Sequence, residues 1–168
     1  MVPIVFAHGL EGHPEGTKVQ WLKKQGFDVL APDGQGLVLQ DRLVDLERET
    51  RRGGVLLVGS SYGGLAAAWL AHQYPDRFVG LLLLAPALHH TEPPVVDAAL
   101  LTAPVTIPTR VIHGVSDDIV PIDVSRRYCQ QSGSHTHLVE VDDGHRLAGS
   151  LSVISQAAAQ LMGMHETP

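Results

Sequence analysis

A serine sits among glycines in Gly59-Ser60-Ser61-Tyr62-Gly63-Gly64, directly after the apolar residues 55–58 and before the alanine-rich residues 65–68. Glycine-rich turns from strand to helix serve two chemistries: they cradle phosphate, or they hold a nucleophile at the edge of a sheet. The segment lacks the Lys-Ser/Thr ending of a phosphate-binding loop, and Gly34-Gln35-Gly36 lacks a third glycine in dinucleotide register. The nucleophile remains. Ser61 is the centre of a G-x-S-x-G pattern, with Ser60 as its neighbour. A serine hydroxyl attacks a carbonyl only when a base takes its proton and a carboxylate orients that base. Candidates for both follow later in the chain, at His113-Gly114-Val115-Ser116-Asp117-Asp118 and at Asp142-Asp143-Gly144-His145.

These groups need elements to carry them to one place. Short apolar runs at 4–7, 28–31, 55–58, 79–84, 109–112 and 137–141 predict six strands. Their lack of polar alternation predicts burial on both faces, as in a parallel sheet. Helical segments are predicted over 17–25, 39–52, 62–74, 123–132 and 147–162. In the last, Leu147, Leu151, Ile154, Ala158 and Leu161 form one apolar stripe. In the second, Leu39, Leu43 and Leu46 do so, and its Asp, Glu and Arg residues read as a solvated face. Gly26 is placed to end the first helix. Strands alternating with helices predict a doubly wound α/β fold, a six-stranded, mostly parallel sheet with helices on both faces, in a single domain over 1–168. In such a sheet, functional groups collect at the carboxyl ends of the strands. There lie His8-Gly9-Leu10, Pro32-Asp33-Gly34, Ser60-Ser61, His113 to Asp118 and Asp142 to His145.

Four motifs then fall in order: H-G-x-x-G at 8–12, G-x-S-x-G at 59–63, H-G-x-x-D-x-x-V-P at 113–121 and G-H at 144–145. Nearly end to end, the chain resembles the α/β-hydrolase superfamily, and within it the small uncapped bacterial esterases and thioesterases. The resemblance implies that Ser61 is the nucleophile, Asp117 the orienting acid and His145 the base, the family's chain order. It implies an oxyanion hole built from the backbone amides of Leu10 and Tyr62. Asp118 is the rival acid, and Glu92 and Asp97 are outside candidates. Asp142 and Asp143 lie too close in sequence to His145 to orient its ring and are expected to shape its loop. His8 and His113 are expected to brace loops through their rings. The sequence opens on the strand leading to His8, so the first two strands of the full family fold are expected to be absent from it. The proline-broken residues 85–107 stand where larger members insert a cap. The expected mouth is open, with Glu11 and Leu147 as substrate-binding residues beside Leu10 and Tyr62.

Bulk properties narrow the partners. A net charge of −6 gives no electrostatic footprint for nucleic acid or an anionic membrane. A lone cysteine, Cys129, excludes an internal disulfide and suits the cytoplasm. The longest apolar run, 79–88, is about half a membrane span. Of the ten histidines, His89-His90 and His135-x-His137 are the close pairs, and neither has zinc-site spacing. No metal or cofactor is expected, and the expected partner is a small ester or thioester substrate, with the oligomeric state open. The competing readings are a non-catalytic ligand-binding protein on the same scaffold and an acyltransferase using the same three residues.

Overall fold

The structure is a computed structural model that describes residues 1–166. Strands β1 (Ile4–Ala7), β2 (Val29–Leu30), β3 (Val55–Ser60), β4 (Phe78–Leu84), β5 (Thr109–Gly114) and β6 (Thr136–Val141) form one sheet in the order β2-β1-β3-β4-β5-β6. Every neighbouring pair is parallel. The apolar runs explain why. Alternate side chains of each strand point to opposite faces, and both faces are covered. Val5, Leu57, Leu83 and Val111 join a core with helices α2 (Leu39–Thr50), α3 (Tyr62–Gln73) and α4 (Ile122–Ser132). Ile4, Phe6, Leu82 and Ile112 join a second core with α1 (Thr17–Lys24) and α5 (Leu151–Glu166).

The chain steps from β1 outward to β2 on one side and through β3 to β6 on the other. The reversal leaves a crevice between the carboxyl ends of β1 and β3, the place where such sheets bind ligands. His8 follows β1 and Ser61 follows β3, so both border it.

Two expected element bounds are corrected. The second strand shrinks to Val29–Leu30, because it is an edge strand paired only with β1 and Pro32 offers no amide to extend it. The last helix begins at Leu151 rather than 147. Leu147 has φ 54, and the chain turns twice, through Leu147 N–H to Gly144 O and Ser150 N–H to Leu147 O. Residues 85–107 form no helix beyond the single turn Ala98–Leu100, yet Leu88, Val95, Leu101 and Ile107 are buried in the first core. The segment packs down on the sheet instead of rising over it as a cap.

Candidate active site

Ser61 occupies a backbone conformation that only tight packing sustains, with φ 54 and ψ −113. A non-glycine residue there costs on the order of 1–3 kcal/mol. The surroundings hold it. Its amide donates to Leu84 O at 2.9 Å, and its carbonyl accepts from the amides of Gly64 and Ala87, each at 2.9 Å. Helix α3 presses so closely on the strands that a Cβ at Gly59 would lie 2.6 Å from that of Ala67. One at Gly63 would lie 2.0 Å from the carbonyl oxygen of Ala7. The flanking glycines are therefore a steric requirement of the turn.

The Ser61 hydroxyl lies 2.9 Å from Nε2 of His145, and Nδ1 of that ring lies 2.8 Å from Oδ2 of Asp117. The carboxylate of Asp117 is fully buried and saturated with donors. Its Oδ1 accepts from the amides of Ile119 and Val120, and its Oδ2 also lies 3.1 Å from Nε2 of His113. That histidine is itself fixed. Nε2 faces the Val120 carbonyl at 2.8 Å as well as Asp117, so it carries the proton, and Nδ1 accepts from the Ser125 hydroxyl at 2.6 Å. Burial alone would raise the Asp117 pKa, but the hydrogen bonds from His145, Val120 and Ile119 outweigh it and hold the carboxyl below its ordinary range. An imidazole aligned between a hydroxyl and an ionised, buried carboxylate can take the proton of the hydroxyl and be stabilised as a cation.

On the other side of Ser61 lies the loop after β1. A Cβ at Gly9 would stand 3.6 Å from that of Ser61, so this loop passes directly beside the serine. Tyr62 is the first residue of α3, where amides have no acceptor within the helix. Beneath them runs a polar network. His8 Nδ1 lies 2.7 Å from Gly9 O, and its Nε2 accepts from the Gly34 amide at 2.9 Å. Arg42, only 4% exposed, donates to His8 O and Gly9 O, and its guanidinium lies over the Tyr62 ring. The Tyr62 hydroxyl donates to Glu92, which also accepts from the Leu39 amide and contacts His90. Burial first, and then the bond to Glu92, push the tyrosine pKa up to about 12, so it remains a neutral donor.

Ser61, Asp117 and His145 are thus brought together, and the rival acids are not. Asp118 is exposed, Glu92 is engaged with Tyr62, and Asp97 accepts from the Ala99 amide. Glu11 is exposed beside Leu10. Leu147, expected at the mouth, is fully buried in the core beneath α5 and presents no surface to a substrate. Its positive φ turns it inward. Arg42 was hidden in the supposed solvated face of its helix. The signal was present: three residues after Leu39 and four before Leu46, it lies on their apolar stripe.

Asp143 ties the histidine loop to α5. It accepts from the Ser150 hydroxyl and from the amides of Gly144 and Gly149. The bond from Ser150 is the largest influence on its pKa, and together these partners hold it below the ordinary value. Asp117 and Asp143 therefore bind protons less readily folded than unfolded. Their stabilisation is complete above the unfolded values, about 4, and is lost as pH falls through the folded ones. We expect the urea midpoint to drop below about pH 4, with Asp143→Asn lowering it at neutral pH and flattening the acid slope. An acid slope as steep in that variant as in the parent would contradict this account of Asp143.

A doubly wound parallel sheet with a serine turn at its switch edge defines the α/β-hydrolase fold. The chain belongs to the serine hydrolase family, whose sequence pattern matches residues 29–150. The pyrethroid hydrolase of Sphingobium wenxiniae is 31% identical over 147 residues, 73% of this chain and 48% of that one. The chain thus spans about half the length of that curated relative. Among solved structures, a protein of Xanthomonas campestris pv. campestris assigned to the α/β superfamily of hydrolases superposes with a TM-score of 0.80. It is 28% identical, with 98% of this chain and 99% of that one covered. The monoacylglycerol lipase of Paleococcus ferrophilus shares the fold at a TM-score of 0.78 and 17% identity, over 98% and 96% of the two chains. No helix among the described residues is long and apolar enough to cross a membrane.

Proposed function

We propose that this chain is a serine hydrolase that cleaves small carboxylic esters or thioesters through an acyl-enzyme on Ser61. The observation that carries the reading is the continuous path from the Ser61 hydroxyl through both nitrogens of His145 to buried Asp117, at 2.9 and 2.8 Å. His145 accepts the serine proton as Oγ attacks the carbonyl carbon. The carbonyl oxygen becomes an oxyanion beside the amides of Leu10 and Tyr62. Collapse of this intermediate expels the alcohol or thiol, which takes the proton from His145. Water then repeats the sequence: His145 takes its proton, the carboxylic acid leaves, and Ser61 is regenerated. Preorganised donors of this kind are each worth a factor of about 10² to 10³ in rate. A relative named for pyrethroid hydrolysis and membership of the serine hydrolase family both support hydrolysis as the reaction class.

Substrate size follows from the walls. Leu10 is 65% exposed and Glu11 is exposed, Leu147 contributes nothing, and residues 85–107 add no helix pair above the site. Each buried methylene contributes about 0.8 kcal/mol, so an open mouth stops gaining affinity after a few carbons. The test is kcat/KM across p-nitrophenyl esters from acetate to palmitate and matched acyl thioesters. Short acyl groups are expected to be preferred, with no jump in rate when the substrate forms micelles. A steady rise to the longest chains would mean that a long apolar channel serves the site. Absence of turnover across both series would overturn the proposed reaction.

A further inference from the structure

The Gly9 carbonyl oxygen receives three donors at once. His8 Nδ1 reaches it at 2.7 Å, the Gly12 amide at 3.0 Å and Arg42 Nη2 at 3.2 Å. The other arm of the guanidinium, Nη1, donates to the preceding carbonyl, His8 O, at 2.6 Å. A peptide unit is planar and trans, so its C=O and N–H point in opposite directions. The partner of the Gly9 carbonyl in that plane is the Leu10 N–H. Fixing one end of the plane therefore aims the other.

We infer that Arg42 is a positioning residue that clamps the Gly9–Leu10 peptide and so aims the Leu10 amide at the oxyanion, with His8 as its second jaw. The inference rests on the reading of Ser61 as nucleophile and Leu10 as oxyanion donor. Three features support it. Donation to a carbonyl polarises its peptide and strengthens the N–H at the far end, and the effect is larger where water is excluded. The second feature is the His8 tautomer. The Gly34 amide occupies Nε2, which leaves the proton on Nδ1, facing Gly9 O. Burial lowers the His8 pKa and keeps the ring in that neutral form. The third feature is the fit of the arginine. A Cβ at Gly34 would come within 3.0 Å of the guanidinium, so the bare Gly34 of the 34–36 segment is what admits it. The same guanidinium lies 4.7 Å from the centre of the Tyr62 ring, whose residue supplies the other proposed donor. One buried cation thus touches the residues of both halves of the hole. A lysine cannot replace it fully, since only the planar fork spans two successive carbonyls.

The test uses the whole chain with Arg42→Met, Arg42→Lys and Ser61→Ala in parallel. An oxyanion donor acts on the transition state, so its misalignment lowers kcat while leaving KM nearly unchanged. Arg42→Met is expected to lose about 10- to 100-fold in kcat, a fraction of what deleting a donor outright removes, with Arg42→Lys between it and the parent. Affinity for a small alkyl boronic acid, whose tetrahedral adduct needs the same donors, is expected to fall in step. A fold-only role would lower the melting temperature without that matched loss. If Ser61→Ala abolishes turnover while the folded Arg42 variants keep kcat within about twofold, or lose only KM, the clamp is overturned and the reading of Ser61 stands. If Arg42→Met does not fold, Arg42→Lys decides by the same criteria, and a chain that folds with neither makes Arg42 a fold determinant and overturns the clamp. Turnover retained in Ser61→Ala overturns the reading and the clamp together.

Discussion

Ser61→Ala is expected to eliminate covalent labelling by a fluorophosphonate and to lower ester turnover by about 10⁶-fold, the scale on which loss of a serine nucleophile is felt. The fold should survive. The substitution deletes one oxygen, whose hydrogen-bond partner is His145 Nε2, itself part exposed and able to take water instead. The strained backbone is held by Leu84, Gly64 and Ala87 through main-chain bonds that alanine keeps. Ser60→Ala is the matched control. It removes the neighbouring hydroxyl at the end of β3, and labelling is expected to persist. The readouts are intact mass after labelling, kcat/KM on a short ester, and the melting temperature. Labelling retained in Ser61→Ala and lost in Ser60→Ala would move the nucleophile by one residue and with it the proposed mechanism.

How far the sequence could be read depends on whether a feature is local. The strand-to-helix turn at Ser61 was legible because its cause is local: glycines at both flanks and an apolar run before them. The strand ends that carry His8, Asp117 and His145 were legible too, since continuous apolar runs announce a sheet buried on both faces. Features set by tertiary packing were not. Residues 147–150 carry a helical apolar pattern, but Asp143 captures the Gly149 amide and the Ser150 hydroxyl, so the helix starts only after them. Leu147 keeps its place in the core while losing its place at the mouth. Arg42 misled for the opposite reason. A charge on a helix reads as solvated, and only the carbonyls of another loop, which no helical pattern contains, make its burial tolerable. The choice between Asp117 and Asp118 is of the same kind. Adjacent acids in one loop differ in sequence by a register alone, and the fold separates them by burying one and exposing the other.

That separation yields the second large effect. Asp117→Asn is expected to lower kcat/KM by about 10³- to 10⁴-fold, the range seen when an orienting carboxylate of this type becomes an amide. The donor count explains why. Four N–H groups point at the Asp117 carboxylate: the amides of Ile119 and Val120 at Oδ1, and the rings of His145 and His113 at Oδ2. An asparagine has one acceptor oxygen and one NH₂ group. If its oxygen serves the two backbone amides, its NH₂ faces His145 Nδ1. The ring must then accept there, and its proton shifts to Nε2, where it blocks transfer from Ser61. If the side chain flips, the NH₂ confronts two backbone N–H groups in a buried site, and an unmet donor there costs about 1–3 kcal/mol. In that flipped orientation the amide oxygen still accepts from His145 Nδ1–H but carries no charge to stabilise the imidazolium, so activity falls in both cases and furthest in the first. The melting temperature reports which orientation wins: a small drop for the first, a large one for the second. Asp118→Asn removes a charge from an exposed side chain and is expected to leave kcat/KM within about twofold. Measured side by side on one short ester, the two variants should differ by three orders of magnitude or more. If Asp118→Asn is the crippled one, the acid that orients His145 is Asp118, and the buried donor cluster around Asp117 serves the loop alone.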